Sequence, residues 1–144
     1  MTLLQENNIQ KEHLFTFTVF PDYLNWSGTL FGGKLLAELD SAAANCARKI
    51  LYGTSCNGLV TATLNKVDFM APAHLGDIIE MHTTITDLGR SSITVMVVAN
   101  KEEKNGSRSE ICKASFVFVA LKDGKPYPHN AKMNTLKSDS YVGN

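Results

Sequence analysis

The first clear pattern is at residues 13–20, HLFTFTVF, where Phe15, Phe17 and Val19 alternate with Thr16 and Thr18. A period of two puts the apolar set on one face of a strand. Pro21 and Asp22 break it, and residues 23–33, YLNWSGTLFGG, carry three glycines and no period. From Gly33 the period lengthens. Leu35, Leu36, Leu39, Ala43, Cys46, Ala47 and Ile50 recur at helical spacing through GKLLAELDSAAANCARKILYG. The Ala, Leu, Glu and Lys of this stretch favour helix, Arg48 and Lys49 suit its last turn, and Gly53 is a natural stop. The helix predicted over 33–53 is about 30 Å long and is the only strong helix in the sequence.

After it the period of two returns. Residues 59–70 are strand-like without clean alternation, which predicts burial on both faces or contact with another subunit. Ile79, Met81 and Ile85 alternate with Glu80, His82, Thr84 and Thr86. Residues 92–100 (SITVMVVAN) and 110–121 complete the set, with turns at Leu88-Gly89-Arg90-Ser91, Asn105-Gly106 and Asp123-Gly124. One strand, one long helix and four hairpin-linked strands predict an α+β fold with an antiparallel sheet. Five or six strands wrapped around a single helix is the hotdog arrangement. The polar ends, 1–12 and 130–144, are expected to be a mobile N-terminus and a frayed tail flanking one domain over 13–129.

Composition narrows the function. The chain has 144 residues, enough for one core. Lys plus Arg is 14 and Asp plus Glu is 14, so the net charge is zero. That argues against general nucleic-acid binding, which needs excess basic charge, and leaves self-association unopposed by repulsion. Three cysteines, Cys46, Cys56 and Cys112, form no close metal-binding pair and read as reduced thiols. The longest apolar run, residues 116–121, is far short of the ~20 residues of a membrane helix. No secretory leader is visible in residues 1–11. A cytoplasmic protein with no membrane partner is expected.

Candidate chemistry clusters around the start of the helix. Gly28, Gly32 and Gly33 allow backbone to approach a ligand closely, and a helix's first turn offers unpaired N–H groups that can hold a phosphate or a developing oxyanion; the same glycines also serve a plain turn. Asp40 lies at the edge of the apolar stripe among alanines, with no sequence-local cation. It is either a solvated aspartate on the polar face or a partly desolvated carboxylate suited to act as a base. Glu38 reads as a solvated residue. Asn25 is either a turn former or a group that orients water or a carbonyl. Gly89-Arg90-Ser91-Ser92 places a cation and two hydroxyls on a tight turn, as a phosphate would need and as an ordinary hairpin also allows. The four histidines assemble into nothing, and no metal spacing, nucleophile elbow, phosphate-loop or dinucleotide motif occurs.

Three segments converge on one family. Asn25-Trp26-Ser27-Gly28-Thr29-Leu30-Phe31-Gly32-Gly33, followed by Leu39-Asp40, resembles the hotdog-fold acyl-CoA thioesterases of the bacterial and brain-type acyl-CoA hydrolase branch. Val67-Asp68-Phe69-Met70-Ala71-Pro72 through Gly76-Asp77 resembles that branch's second signature, and Gly89-Arg90-Ser91-Ser92-Ile93 its third. The likeness runs over residues 13–128. It implies hydrolysis of an acyl-CoA thioester to a carboxylate and free CoA, without metal or redox cofactor, by a subunit that dimerises and often forms a trimer of dimers. It implies Asp40 as general base or nucleophile, Asn25 as a second catalytic residue supplied by the other subunit, and the Gly33 N–H, beside Gly32, on the thioester carbonyl. Arg90 and Ser91, with Gly89 and Ser92, would meet the CoA phosphates. Thr29 and the bulky Trp26 depart from the usual pattern beside Asn25, which bears on acyl preference. The alternatives are a non-catalytic acyl-CoA-binding hotdog protein and a hotdog dehydratase. The first is disfavoured as a DNA-binding regulator, since only 12 residues precede His13. The second is disfavoured because no His lies in the loop–helix region.

Overall fold

The computed structural model describes residues 9–138. Strand β1 (Glu12–Thr18) leads through a loop to helix α1 (Gly32–Arg48), and four long strands follow: β2 (Gly58–Phe69), β3 (Ile78–Leu88), β4 (Ser92–Glu102) and β5 (Arg108–Lys122). A two-residue strand, β6 (Lys125–Pro126), folds back on β5. The strands of the sheet pair antiparallel, in the order β1-β3-β4-β5-β2. This is the α+β hotdog fold, one helix against a six-stranded sheet.

The core is the contact between α1 and the sheet. Leu35, Leu39, Ala42, Ala43, Cys46 and Ala47 form the helix's buried face. Opposite them the alternating strands present Ile79, Met81 and Ile85 from β3, Ile93, Val95 and Val97 from β4, and Phe116 and Phe118 from β5, all buried. The Phe116 and Phe118 rings stack at 6.1 Å. Thr83, in the same row, is buried with its hydroxyl donated to the His13 carbonyl at 2.9 Å, so the polar group stays paired.

The helix ends sooner than its apolar pattern. The α-helical turns stop at Arg48, and Lys49–Leu51 tighten into a 3-10 turn before Gly53, whose φ of +79° reverses the chain. Ile50 and Leu51 remain buried, so side-chain spacing could not register the change of hydrogen bonding.

Burial of β2 on both faces does not hold. This strand is the sheet edge beyond β5 and most of it is exposed. Its irregular alternation comes from register shifts between Thr61 and Thr63 and between Asn65 and Asp68, with Lys66 at φ +50°.

At the polar ends, residues 1–8 and 139–144, part of the expected mobile terminus and tail, lie outside the described residues. Gln10 pairs with Lys137, the Lys11 N–H donates to the Lys137 carbonyl at 2.7 Å, and Ile9, Met133 and Leu136 pack on the core. Met133–Thr135 is a single 3-10 turn.

Leu39 is fully buried at the centre of the helix face. Leu39→Ala should lower unfolding free energy by about 3 kcal/mol, measured as a reduced midpoint at unchanged slope in denaturant melts.

Candidate active site

Asp40 lies on α1 at the border between the buried stripe and solvent, and is half-buried. Its Oδ1 accepts a hydrogen bond of 2.8 Å from the Thr61 hydroxyl on β2. No cation pairs with it among the described residues. Glu38, by contrast, forms an ion pair of 3.0 Å with Lys34 on the open side of the helix. Of the alanines that follow Asp40, Ala43 and Ala47 are fully buried against the sheet and Ala44 lines a cleft.

Thr61 was not legible as a site residue. It reads as one more threonine in a strand. It meets Asp40 only because β2 pairs with β5 in the register Thr61–Phe118, which brings its hydroxyl to the helix.

Gly32 and Gly33 are the first residues of α1. Phe31 caps the helix without a side-chain hydrogen bond, so no side chain occupies the N–H groups of its first turn. A Cβ on Gly33 would lie 2.6 Å from the exposed Phe31 ring, which would have to move aside to admit it. Gly32 faces the Phe69 ring across a cleft of about 350 Å³ lined also by Leu30, Met70 and Pro72.

Asn25 stays within its own loop. Its Oδ1 accepts the N–H groups of Ser27 at 2.9 Å and Thr29 at 3.1 Å, and its Nδ2 donates to the Thr29 hydroxyl at 3.0 Å. Thr29, the residue that departs from the family pattern, therefore sets the orientation of Asn25. No hydrogen bond joins Asn25 to Asp40 within the protomer. Trp26, next to it, is fully exposed.

The Gly89-Arg90-Ser91-Ser92 turn joins β3 to β4. It is closed by the Gly89 N–H donating to the Ser92 carbonyl at 3.0 Å, and a Cβ on Gly89 would collide with the Ser92 hydroxyl. Arg90 is exposed and in no ion pair among the described residues. His129, unassigned by spacing, is buried behind this turn, with Nε2 2.9 Å from the Ser92 carbonyl oxygen. One protomer thus holds a carboxylate with its hydroxyl partner, a helix start with open donors, and a cationic turn.

Comparison with known proteins places this arrangement. The thioesterase superfamily model matches residues 27–106. The chain is 38% identical over 120 residues to the uncharacterized acyl-CoA thioester hydrolase YkhA of Bacillus subtilis, covering 78% of this chain but only 64% of that one. It is 30% identical over 128 residues to the acyl-CoA thioester hydrolase YciA of Salmonella typhimurium, covering 85% of this chain and 93% of that protein. Among solved structures, it superposes on the acyl-CoA hydrolase of Staphylococcus aureus, solved with butyryl coenzyme A and coenzyme A, with a TM-score of 0.74 at 32% identity over 83% of this chain and 71% of the other. Variants of that enzyme with a single Asn, Asp or Thr changed to Ala have the same fold. The hexameric thioesterase y2039 of Yersinia pestis matches with a TM-score of 0.75 at 28% identity, over 83% of this chain and 97% of the other. The chain belongs to the thioesterase superfamily, in the hotdog-fold group of the acyl-CoA thioester hydrolases.

Proposed function

We propose that this protein hydrolyses acyl-CoA thioesters to a carboxylate and free CoA, in a site assembled from two copies of the chain. The observation that carries the reading is Asp40, a half-buried carboxylate without a cation, held through one oxygen by Thr61. That hydrogen bond fixes the carboxylate's rotation and leaves Oδ2 to accept a proton. Oδ2 takes a proton from water, and the water oxygen bonds to the thioester carbon. The carbonyl electron pair moves onto oxygen, where the Gly33 N–H and the positive end of α1 stabilise it. Collapse of this intermediate breaks the C–S bond, and the CoA thiolate receives the proton that Asp40 holds. No metal or redox cofactor enters the scheme, and CoA is a product. The relatives are named hydrolases, which favours turnover over acyl-CoA binding alone.

Helix geometry supports a shared site. Gly33 and Asp40 are seven residues apart, about 10 Å along the axis, so one carbonyl and the water between it and Asp40 would have to be fully extended to span them within a protomer. Gly33 and Asn25 of one protomer are therefore assigned to the Asp40 of a second. The exposed twelve-residue edge strand β2 supplies a surface for pairing. The hexameric relative supports a trimer of such dimers. Arg90 and Ser91, with Gly89 and Ser92, are proposed to meet the CoA phosphates, and the unpaired thiols of Cys46, Cys56 and Cys112 suit a cytoplasmic setting. No helix among the described residues is long and apolar enough to cross a membrane.

Asp40→Asn preserves size and removes the base, so kcat with acyl-CoA should fall roughly 100-fold or more; near-normal turnover by the folded variant would refute the assignment. Thr61→Val should lower kcat less, about tenfold, at unchanged stability. Asn25→Ala and Asp40→Ala, each inactive alone, should regain activity when unfolded and refolded together, because a mixed dimer contains one intact site. No recovery despite proven subunit exchange would contradict sharing. Arg90→Ala should raise KM about fivefold with little change in kcat, an effect that shrinks with added salt and is absent for an acyl-N-acetylcysteamine, which lacks phosphates.

A further inference from the structure

The apolar row that β4 turns toward α1 ends in a charge. Val95, Val97 and Ala99 are buried at every second position, and Lys101 is the next in the row. Its backbone pairs with that of buried Ile79 on β3, as Ala99 pairs with Met81 and Val97 with Thr83. The Lys101 side chain is only 14% exposed. Alternation calls for an apolar residue there, and an ammonium drawn so far from water has to be hydrogen-bonded.

Its partner is the 70–77 segment between β2 and β3. Lys101 Nζ donates to the Pro72 carbonyl at 3.1 Å. Glu103 Oε1 at 3.7 Å and Asp77 Oδ2 at 4.0 Å flank the ammonium as counter-charges. Asp77 Oδ2 also accepts the His74 backbone N–H at 2.8 Å, and the exposed His74 ring is 3.9 Å from it. The Asp77 N–H donates back to the His74 carbonyl at 3.0 Å, so 74–77 is a closed turn. That turn is pinned beside the end of β1. The Gly76 N–H donates to the Val19 carbonyl and the Val19 N–H to the Asp77 carbonyl, each at 2.9 Å.

The segment in turn holds the loop that enters α1. Buried Ala73, next to Pro72, accepts the Leu30 N–H at its carbonyl at 2.8 Å. Leu30, Gly32 and Leu35 share the walls of one cleft with Pro72 and Ala73. Leu30 is three residues before Gly33, and its backbone bridges to Leu24, the neighbour of Asn25. No side chain caps the helix. Its start is therefore fixed by backbone bonds, here to Ala73 and, from the Phe31 N–H, to the Tyr23 carbonyl at 2.8 Å. Two successive peptide carbonyls, Pro72 and Ala73, thus link an ammonium on the sheet to the stretch that carries Asn25 and Gly33.

We infer that Lys101 is a positioning residue for the helix start. By holding the Pro72 carbonyl it sets where Ala73 holds Leu30, and so where the Gly33 N–H meets the thioester carbonyl. It acts through the 72–73 peptides and not on the reacting atoms. The inference rests on the Gly33 N–H being the donor to that carbonyl. A shift of about 1 Å in such a donor costs rate steeply, whereas the cationic turn at Arg90 is on another loop. The effect of Lys101 belongs in kcat.

Lys101→Met keeps the apolar stem at the end of an apolar row and removes the ammonium. Its kcat with acyl-CoA should fall about tenfold while KM stays within about twofold. Lys101→Arg, which restores a charged donor, should recover most of the loss. Amide hydrogen exchange gives a second reading that needs no turnover. In Lys101→Met the Leu30 amide should exchange about tenfold faster, with the Val95 and Val97 amides of central β4 unchanged. A normal kcat in the folded Met variant would overturn the inference, whatever the exchange at Leu30. Equal acceleration at Leu30, Val95 and Val97 would also overturn it, because that is general loosening and not the loss of one tether. Neither result bears on Asp40, whose role is tested separately by Asp40→Asn.

Discussion

The fit of α1 into the curved sheet is the constraint on which the rest depends. Ala42, Ala43, Cys46 and Ala47 give the helix a face with little side-chain bulk, and all four are buried. Small residues let the helix axis approach the strands closely. That approach brings Asp40, at the edge of the same face, within 2.8 Å of a hydroxyl on β2. A larger residue in the stripe would lift the helix and separate the carboxylate from Thr61. The same seating exposes the uncapped helix start at one end and forms the cleft beside Ala44 at the other.

In the proposed reading, one protomer supplies parts of two sites and completes neither. The helix start and Asp40 are rigidly separated along a single helix, and Asn25 is committed to its own loop by three hydrogen bonds to 27–29. The proposed division accounts for the apolar surface that is open in the single chain. Trp26, Phe31, Phe69 and Met70 are all exposed around the loop, the helix start and the end of β2. Burial of such a patch against a second copy is the ordinary fate of an apolar surface of this kind. In the proposed arrangement Asp40 belongs to one protomer and the oxyanion donors to its partner.

Much of this was legible in the sequence because side-chain period reports which face is buried. The alternation in β3 and β4, and the helical spacing from Leu35 to Ala47, depend only on local neighbours, as do the turns at Gly89, Asn105-Gly106 and Asp123-Gly124. Asp40, Asn25, Gly33 and the Arg90 turn were candidates by residue type, each with an ordinary structural alternative, and their proposed roles came from the family resemblance. What was hidden depends on contacts between distant segments. Thr61 gains a role only through the register of β2 on β5. His129 is 37 residues from Ser92, whose carbonyl it holds. The bulges of β2 blurred its alternation, so its pattern did not separate a doubly buried strand from an edge open to another subunit, and the change to a 3-10 turn after Arg48 left the apolar pattern intact.

The most direct test of the account is a crystal structure of the Asp40→Asn variant with an intact acyl-CoA bound. The account places the thioester carbonyl oxygen within hydrogen-bond distance of the Gly33 N–H of one protomer and the thioester carbon beside residue 40 of another. A thioester bound entirely within one protomer, or seated away from residue 40, would contradict it.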